Sequence, residues 1–214
     1  MMLQVCADES YRLDDGGAKV IAICGWLSRP DNLQGFCPFW SAVLKAYGVE
    51  YFHFNEFADR KHLYSDKTPY DHLNDIEREN FLFDLALVAC EMGVPVGACV
   101  SPNNAATDTE MHLIIHAYKW FFAGVHKVMQ EKFDIGDVVD FVFDENDNPI
   151  WKIVMIETLN AFKKNGAPFG NRGYQDDKIF IPLQAADLYV FAMRQNAIRF
   201  YSTNRKPRQP RLLV

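Results

Sequence analysis

The spacing of apolar residues along the chain changes several times, and each change predicts an element. Residues 3–9 are an apolar run closed by acids, Asp14-Asp15-Gly16-Gly17 is a turn signal, and 18–27 are apolar again, which predicts two strands joined as an antiparallel hairpin. Pro30 and Asp31 break the pattern, 36–47 carry amphipathic helical spacing ended by Gly48, and 49–54 predict a brief strand. Residues 58–72, with Arg60, Lys61, His62, Lys67 and Pro69, are polar and irregular, an expected exposed loop and candidate lid over a substrate.

Helical spacing returns over 71–92 through Leu73, Ile76, Phe83 and Leu87, with Gly93 where a C-cap belongs, and 94–100 predict a strand whose Pro95 suits an edge or a start. The clearest helix opens with a capping box, Thr107 to Glu110, and repeats Met111, Ile114, Ile115, Tyr118, Phe121, Phe122, Val125 and Met129 at the helical period. Residues 138–143 are the most apolar strand, ending in Asp144, and Asn148-Pro149 opens a helix over 150–164 closed near Gly166. Residues 167–177 are expected to be an exposed Gly-rich loop, 178–181 a short strand, and Pro182 the start of a last helix reaching about residue 200. Strands that begin as a hairpin and then alternate with helices predict an α/β fold: a mixed sheet covered by helices on both faces. A single domain over residues 1–200 followed by a basic tail, 201–214, is the expected organisation.

A chain of 214 residues with 49% hydrophobic and 14% aromatic content can bury a continuous core. No stretch is long and apolar enough to span a bilayer, and the first residues lack a basic segment followed by an apolar one, so a soluble, cytoplasmic protein without membrane partners is expected. Five cysteines without a C-x-x-C pair suit free thiols in a reducing compartment. Net charge is −6, yet six cations and no acid follow Asp187 (Arg194, Arg199, Arg205, Lys206, Arg208 and Arg211), leaving −12 on the remainder. The basic end could grip a phosphate backbone or be a solvated terminus.

Three acids stand out from this background. Asp8 closes the first strand, Asp144 closes the 138–143 strand, and Asp187 interrupts the apolar start of the last helix. Ligands of open α/β sheets collect beyond the carboxyl ends of strands. Carboxylates gathered there repel unless a cation lies between them, which points to Mg²⁺ or Mn²⁺ as cofactor and to phosphodiester cleavage as the chemistry. Each acid also has a plainer reading: Asp8 as a turn former, Asp144 as a helix cap, Asp187 as part of a polar surface stripe. Gln184, Asp187, Phe191 and Arg194 share one helical stripe, so Gln184 and Arg194 are candidates to orient Asp187 or to touch a substrate phosphate. Glu56 is preferred over Glu9 and Glu145 as a fourth acid; it and His53 could equally be half-buried residues at a corner. His112 and His116 have the spacing of a zinc pair, but no third ligand accompanies them. No dinucleotide fingerprint, P-loop or nucleophile elbow is present.

Cys6-Ala7-Asp8-Glu9-Ser10, Phe143-Asp144-Glu145 and Pro182-Leu183-Gln184-Ala185-Ala186-Asp187-Leu188, taken together and in this order, resemble the RNase H-like family catalogued as domain of unknown function three thousand eight hundred. Tyr11 stands where that family often has Gly. The resemblance implies a central mixed sheet whose first strand lies beside the fourth, with an acid on each and one on the last helix. Asp8, Asp144 and Asp187 fit those positions, and Glu56 is carried over as the fourth. It further implies a divalent-metal-dependent nuclease acting on RNA or DNA. The rival expectations are a catalytically silent module that binds nucleic acid or protein, and a hydrolase of small phosphate esters.

Overall fold

The structure is a computed structural model that describes residues 2–13, 19–59, 67–101, 109–145 and 148–202, with backbone alone at 12, 13, 19, 201 and 202. Strand β1 (Met2–Leu13) pairs antiparallel with β2 (Lys19–Ser28), from Gln4 opposite Ser28 to Leu13 opposite Lys19. The turn at residues 14–17 lies outside the described residues. Helices α1 (Pro30–Ala46), α2 (Phe54–Ala58) and α3 (Asp75–Cys90) follow, and β3 (Val94–Val100) adds antiparallel to β2 at the edge of the sheet. Pro95 can sit on this edge because the N–H it lacks has no ladder partner to lose. Helix α4 (Glu110–Lys132) leads to β4 (Val138–Asp144), which runs parallel to β1 from Met2 opposite Val138 to Ala7 opposite Phe143. Helix α5 (Pro149–Lys164) leads to β5 (Phe169–Gln175), parallel to β4, and α6 (Ile181–Ser202) closes the described chain. The result is a five-stranded mixed open sheet in the order β3-β2-β1-β4-β5.

Side-chain alternation along β1 divides the molecule into two layers. Leu3, Val5 and Ala7 join Val139, Phe141 and Phe143 of β4 under Phe121, Phe122 and Val125 of α4 and Leu159 of α5. Cys6 faces the other way, into a core with Trp40 of α1, Phe52, Phe81 of α3 and Leu183 of α6. The same alternation carries Asp8 to the α6 side and Glu9 to the α4 side, where Tyr118 Oη donates to Glu9 Oε1. Asp144 follows Val142, which packs on the α6 side. Among the described residues no helix is long and apolar enough to cross a membrane.

Several local expectations change. Pro30 does not interrupt structure: it occupies the first turn of α1, where its missing N–H has no helical partner to lose, so the helix begins six residues earlier than 36. Residues 51–53 are extended but pair with no strand. On α3 the buried stripe is Arg78, Phe81, Leu85 and Ala89, whereas Ile76, Phe83 and Leu87 are exposed. Arg78 tolerates burial because its guanidinium donates to the carbonyls of Leu73, Phe57 and Tyr70. Gly93 is not the cap of α3, whose C-cap is Glu91; a Cβ at Gly93 would lie 2.5 Å from Leu27 O. The N-cap of α4 is Thr109, which accepts from His112 N at 3.4 Å, and Thr107 lies outside the described residues. Residues 167–177 are not a loop throughout, since they contain β5, and 178–181 form a turn into α6 in which Ile179 and Phe180 N–H both donate to Asp176 O.

Candidate metal centre

The centre is assembled by the first turns of α6. Trp26 Nε1 on β2 donates to Ala185 O at 3.3 Å, and Leu183, Ala185 and Ala186 are fully buried, so this end of the helix lies flat against the sheet. Gln184 and Asp187, three apart and hence on one side of the helix, reach residues 52 and 54, where the chain enters α2. Phe52 N–H donates to Gln184 Oε1 at 3.0 Å and Phe54 N–H to Asp187 Oδ2 at 2.5 Å. Between them His53 N–H donates to Tyr70 Oη at 2.8 Å, and that hydroxyl donates to Tyr51 O at 2.9 Å. The segment therefore satisfies three successive backbone donors with side chains where a strand would use a neighbouring strand. Gln184 also accepts from Trp40 Nε1 at 2.8 Å and donates from Nε2 to Asp177 O at 3.0 Å, tying α1 and the turn before α6 to the same point.

Asp8 and Asp144 each stand one residue past the last paired rung of β1 and β4, Ala7 opposite Phe143. Both project toward α6. Asp144 Oδ1 accepts from Asp177 N at 3.1 Å, and Asp8 Oδ1 accepts from Glu9 N at 2.7 Å. A ring nitrogen of His53 and one carboxylate oxygen from each of Asp177 and Asp187 lie within 4.8 Å of one another. Ligands at about 2.1 Å from one ion are separated by roughly 3 to 4.2 Å, so small side-chain movements would bring these three onto a common cation.

Electrostatics points the same way. Burial pushes Asp187 up to about 7; the Phe54 N–H and His53 oppose the rise, and Asp177 and Asp144 add to it. Burial, then the charges of Asp144 and Asp176, push Asp177 up to about 7. Asp8 is raised well above its ordinary value by burial, then by Asp187, Glu9 and Asp144. Asp144 is raised by burial against the N–H groups of Asp177 and Glu145. Carboxyls so close together in a poorly hydrated space hold protons unless a cation takes their place. His53 Nδ1, moreover, is buried without a hydrogen-bond partner. Four carboxyls and an imidazole are donors that suit a divalent cation.

Of the residues expected from sequence, Asp187 belongs to this group of three, while Asp8 and Asp144 stand outside it but near enough for their charges to couple with Asp187. Glu56 stands beside the centre but is otherwise engaged: Oε1 lies 2.7 Å from Lys178 Nζ and Oε2 accepts from Tyr51 Oη at 2.6 Å. Burial raises its carboxyl, but Lys178 and Tyr51 outweigh burial and hold it below its ordinary value, so its charge is already compensated. Gln184 and Arg194 do not open to solvent, being 1% and 5% exposed. Gln184 fastens the walls as described, while Arg194 Nη1 donates to Ser10 Oγ and its guanidinium lies 5.2 Å from the Phe191 ring centroid. His112 and His116 are exposed on α4, away from the centre. The basic residues Arg205, Lys206, Arg208 and Arg211, and Arg60, Lys61 and His62 of the expected lid, lie outside the described residues.

Asp177 was hidden in the sequence within an expected exposed loop, where no local pattern singles it out. No family model matches the chain, and no curated protein matches it.

Proposed function

We propose that this protein is a divalent-metal-dependent phosphodiesterase of the RNase H-like type, cleaving RNA or DNA with Mg²⁺ or Mn²⁺ as cofactor. The observation that carries the reading is the grouping of His53, Asp177 and Asp187, with the charges of Asp8 and Asp144 from two adjacent parallel strands acting on the same buried carboxyls. Two further features support it. The first strand lies beside the fourth in a five-stranded mixed sheet, and the motifs around Asp8, Asp144 and Asp187 occur in the order that the resemblance to the RNase H-like family of unknown function requires.

In this proposal Asp8, Asp144, Asp177 and Asp187 hold the cation. A bound divalent ion supplies charge neutralisation at the scissile phosphate and lowers the pKa of water at neutral pH. The protein's own part is positioning. Asp187 is fixed by the Phe54 N–H and Asp144 by the Asp177 N–H, so each carboxylate has less freedom to lose on binding. Lys178, 43% exposed and adjacent in sequence to Asp177, is placed to meet a substrate phosphate at the rim, exchanging part of its contact with Glu56.

The test is to incubate the full chain with labelled single-stranded, duplex and hybrid substrates and either cation. Cleavage that depends on the cation and falls at least about 100-fold in Asp8→Asn and Asp187→Asn is expected. Absence of cleavage on every substrate, or full activity in both variants, would refute the proposal.

A further inference from the structure

We infer that His53 is a ligand of the cation through Nε2, that Glu56 orients it from Nδ1, and that this pair makes the centre select Mn²⁺ over Mg²⁺. The inference rests on the preceding reading only in requiring that the acids hold a divalent cation; it does not require that any phosphodiester be cut.

The geometry carries it in three steps. First, the ring is carried on a pinned segment: the backbone N–H groups of residues 52, 53 and 54 are each held by a side chain, Gln184 and Asp187 of α6 and Tyr70 between them. A half-buried surface histidine has no need of such fixing. Second, Nδ1 is buried and without a hydrogen-bond partner, and Glu56 Oε1 stands 3.5 Å from it. That is about 0.6 Å beyond a good N–H···O bond, a gap that a small turn of the ring closes. With the Nδ1 proton donated to Glu56, the lone pair of Nε2 is free for a metal, the arrangement by which a carboxylate fixes the tautomer of a ligating histidine. Third, Glu56 is itself anchored by Tyr51 and by Lys178, and Lys178 adjoins Asp177 in sequence. The orienting group and one carboxylate of the centre therefore hang from the same turn, so a cation that draws Asp177 inward also tightens the support behind His53.

Donor chemistry then sets the preference. A set made only of carboxylates suits Mg²⁺, which binds nitrogen poorly and keeps its waters. Imidazole is a softer donor that favours first-row transition dications. Mn²⁺ accepts both donor types and the octahedral geometry that several carboxylates impose, so it is the ion this mixed set fits. Glu56 accordingly acts as a positioning residue and not as the fourth ligand expected from sequence. The plainer alternative is that His53 merely pairs with Glu56 at the rim.

The two separate in metal titrations of the full chain, stripped with EDTA and examined calorimetrically with MnCl2 and with MgCl2. The unaltered protein should bind Mn²⁺ at least about 10-fold more tightly than Mg²⁺. His53→Gln and His53→Ala should weaken Mn²⁺ by roughly 10- to 100-fold while changing Mg²⁺ less than about 3-fold, and Glu56→Gln should weaken Mn²⁺ by about 10-fold. Spin-echo spectra of Mn²⁺ bound to the unaltered protein should show modulation from a directly bound nitrogen, a readout that needs no variant to fold. Bound Mn²⁺ without nitrogen modulation, or equal losses for both ions in the His53 variants, would overturn the inference while leaving the acidic centre standing. Failure of the unaltered protein to bind any divalent ion would instead remove the acidic centre, and the inference with it.

Discussion

Replacing Asp187 by Asn exposes what the centre costs when no cation occupies it. The perturbation is nearly isosteric, and the new amide oxygen can still accept from Phe54 N–H, the bond now made by Asp187 Oδ2 at 2.5 Å. What disappears is the need to ionise a buried group. The carboxyl is pushed from 3.8 to about 7, and at about 1.4 kcal/mol per unit, ionising it inside the fold costs about 4 kcal/mol at pH 8. Neighbouring acids share that repulsion, so about half of it, roughly 2 kcal/mol, is the expected gain on substitution. For a chain of this size that raises the melting temperature by roughly 4–8 °C. The sign follows from linkage: a carboxyl whose folded pKa lies above its unfolded one adds stability at low pH that is lost as pH rises toward 7. The gain should therefore be greatest at pH 8, fall to less than half at pH 5 and vanish only below about pH 4, the unfolded carboxyl's own range. Thermal unfolding in EDTA at both pH values measures it, and saturating Mn²⁺ should then raise only the unaltered protein, by about 2.7 kcal/mol at a hundredfold excess over Kd. If Asp187→Asn melts no higher than the unaltered protein at pH 8, or higher by the same amount at pH 5, the argument from clustered carboxyls is wrong.

The unaltered, metal-free protein should itself lose stability between pH 5 and pH 8, because Asp177, like Asp187, is held near 7 in the fold; a urea midpoint that rises over this interval would contradict the assignment. Uptake of Mn²⁺ at pH 6 should release at least about one proton, read from calorimetry in two buffers of different ionisation enthalpy; release of none would show the carboxyls to be already charged. Gln184→Leu leaves Phe52 N–H, Trp40 Nε1–H and Asp177 C=O without their partner and should cost about 3 kcal/mol or more together with metal binding, measured by denaturant unfolding and titration; a loss below about 1 kcal/mol would refute the fastening role. Gly25→Ala places a Cβ 2.1 Å from Cys6 O on the strand that carries Asp8 and should destabilise by about 2 kcal/mol or more, whereas an unchanged midpoint would show that β1 and β2 can separate freely.

The elements that sequence discloses are those whose partners repeat with a period. β1, β4, α4 and α5 bury one stripe against a continuous core, so their residues alternate or recur and the elements are legible, although β1 runs four residues past its expected end at Glu9 and α4 is capped by Thr109 and not Thr107. The segment at 51–53 has no period to show, because its donors find Gln184 and Asp187 at separations of 132 and 133 residues. β5 was illegible for a different reason. It is an edge strand of the sequence Phe-Gly-Asn-Arg-Gly-Tyr-Gln, largely out of the core, and Gly170 is required there because a Cβ would meet Asp140 Oδ1 at 2.1 Å. On α3 the buried cation Arg78 and the exposed Ile76, Phe83 and Leu87 reverse the usual meaning of apolar and polar, and the wrong stripe is chosen. Within the centre the same division holds. Asp187 is conspicuous because an acid inside an apolar helix demands a reason, and Asp144 because it ends a strand; Asp8, expected to close the first strand, instead lies within β1, which continues to Leu13 paired with β2. Asp177 and His53 acquire their meaning only when the chain is folded, since neither lies in a pattern that burial imposes locally.

The amide groups of residues 52 to 54 hang from two side chains of one helix and a tyrosine hydroxyl, with no backbone ladder beneath them. A ladder is inherited as a whole, whereas a side chain is one codon. Exchanges at 70, 184 or 187 can thus tilt the imidazole or alter its surroundings while the sheet keeps its register, which makes this strip the natural place for selection to retune the centre without rebuilding the molecule.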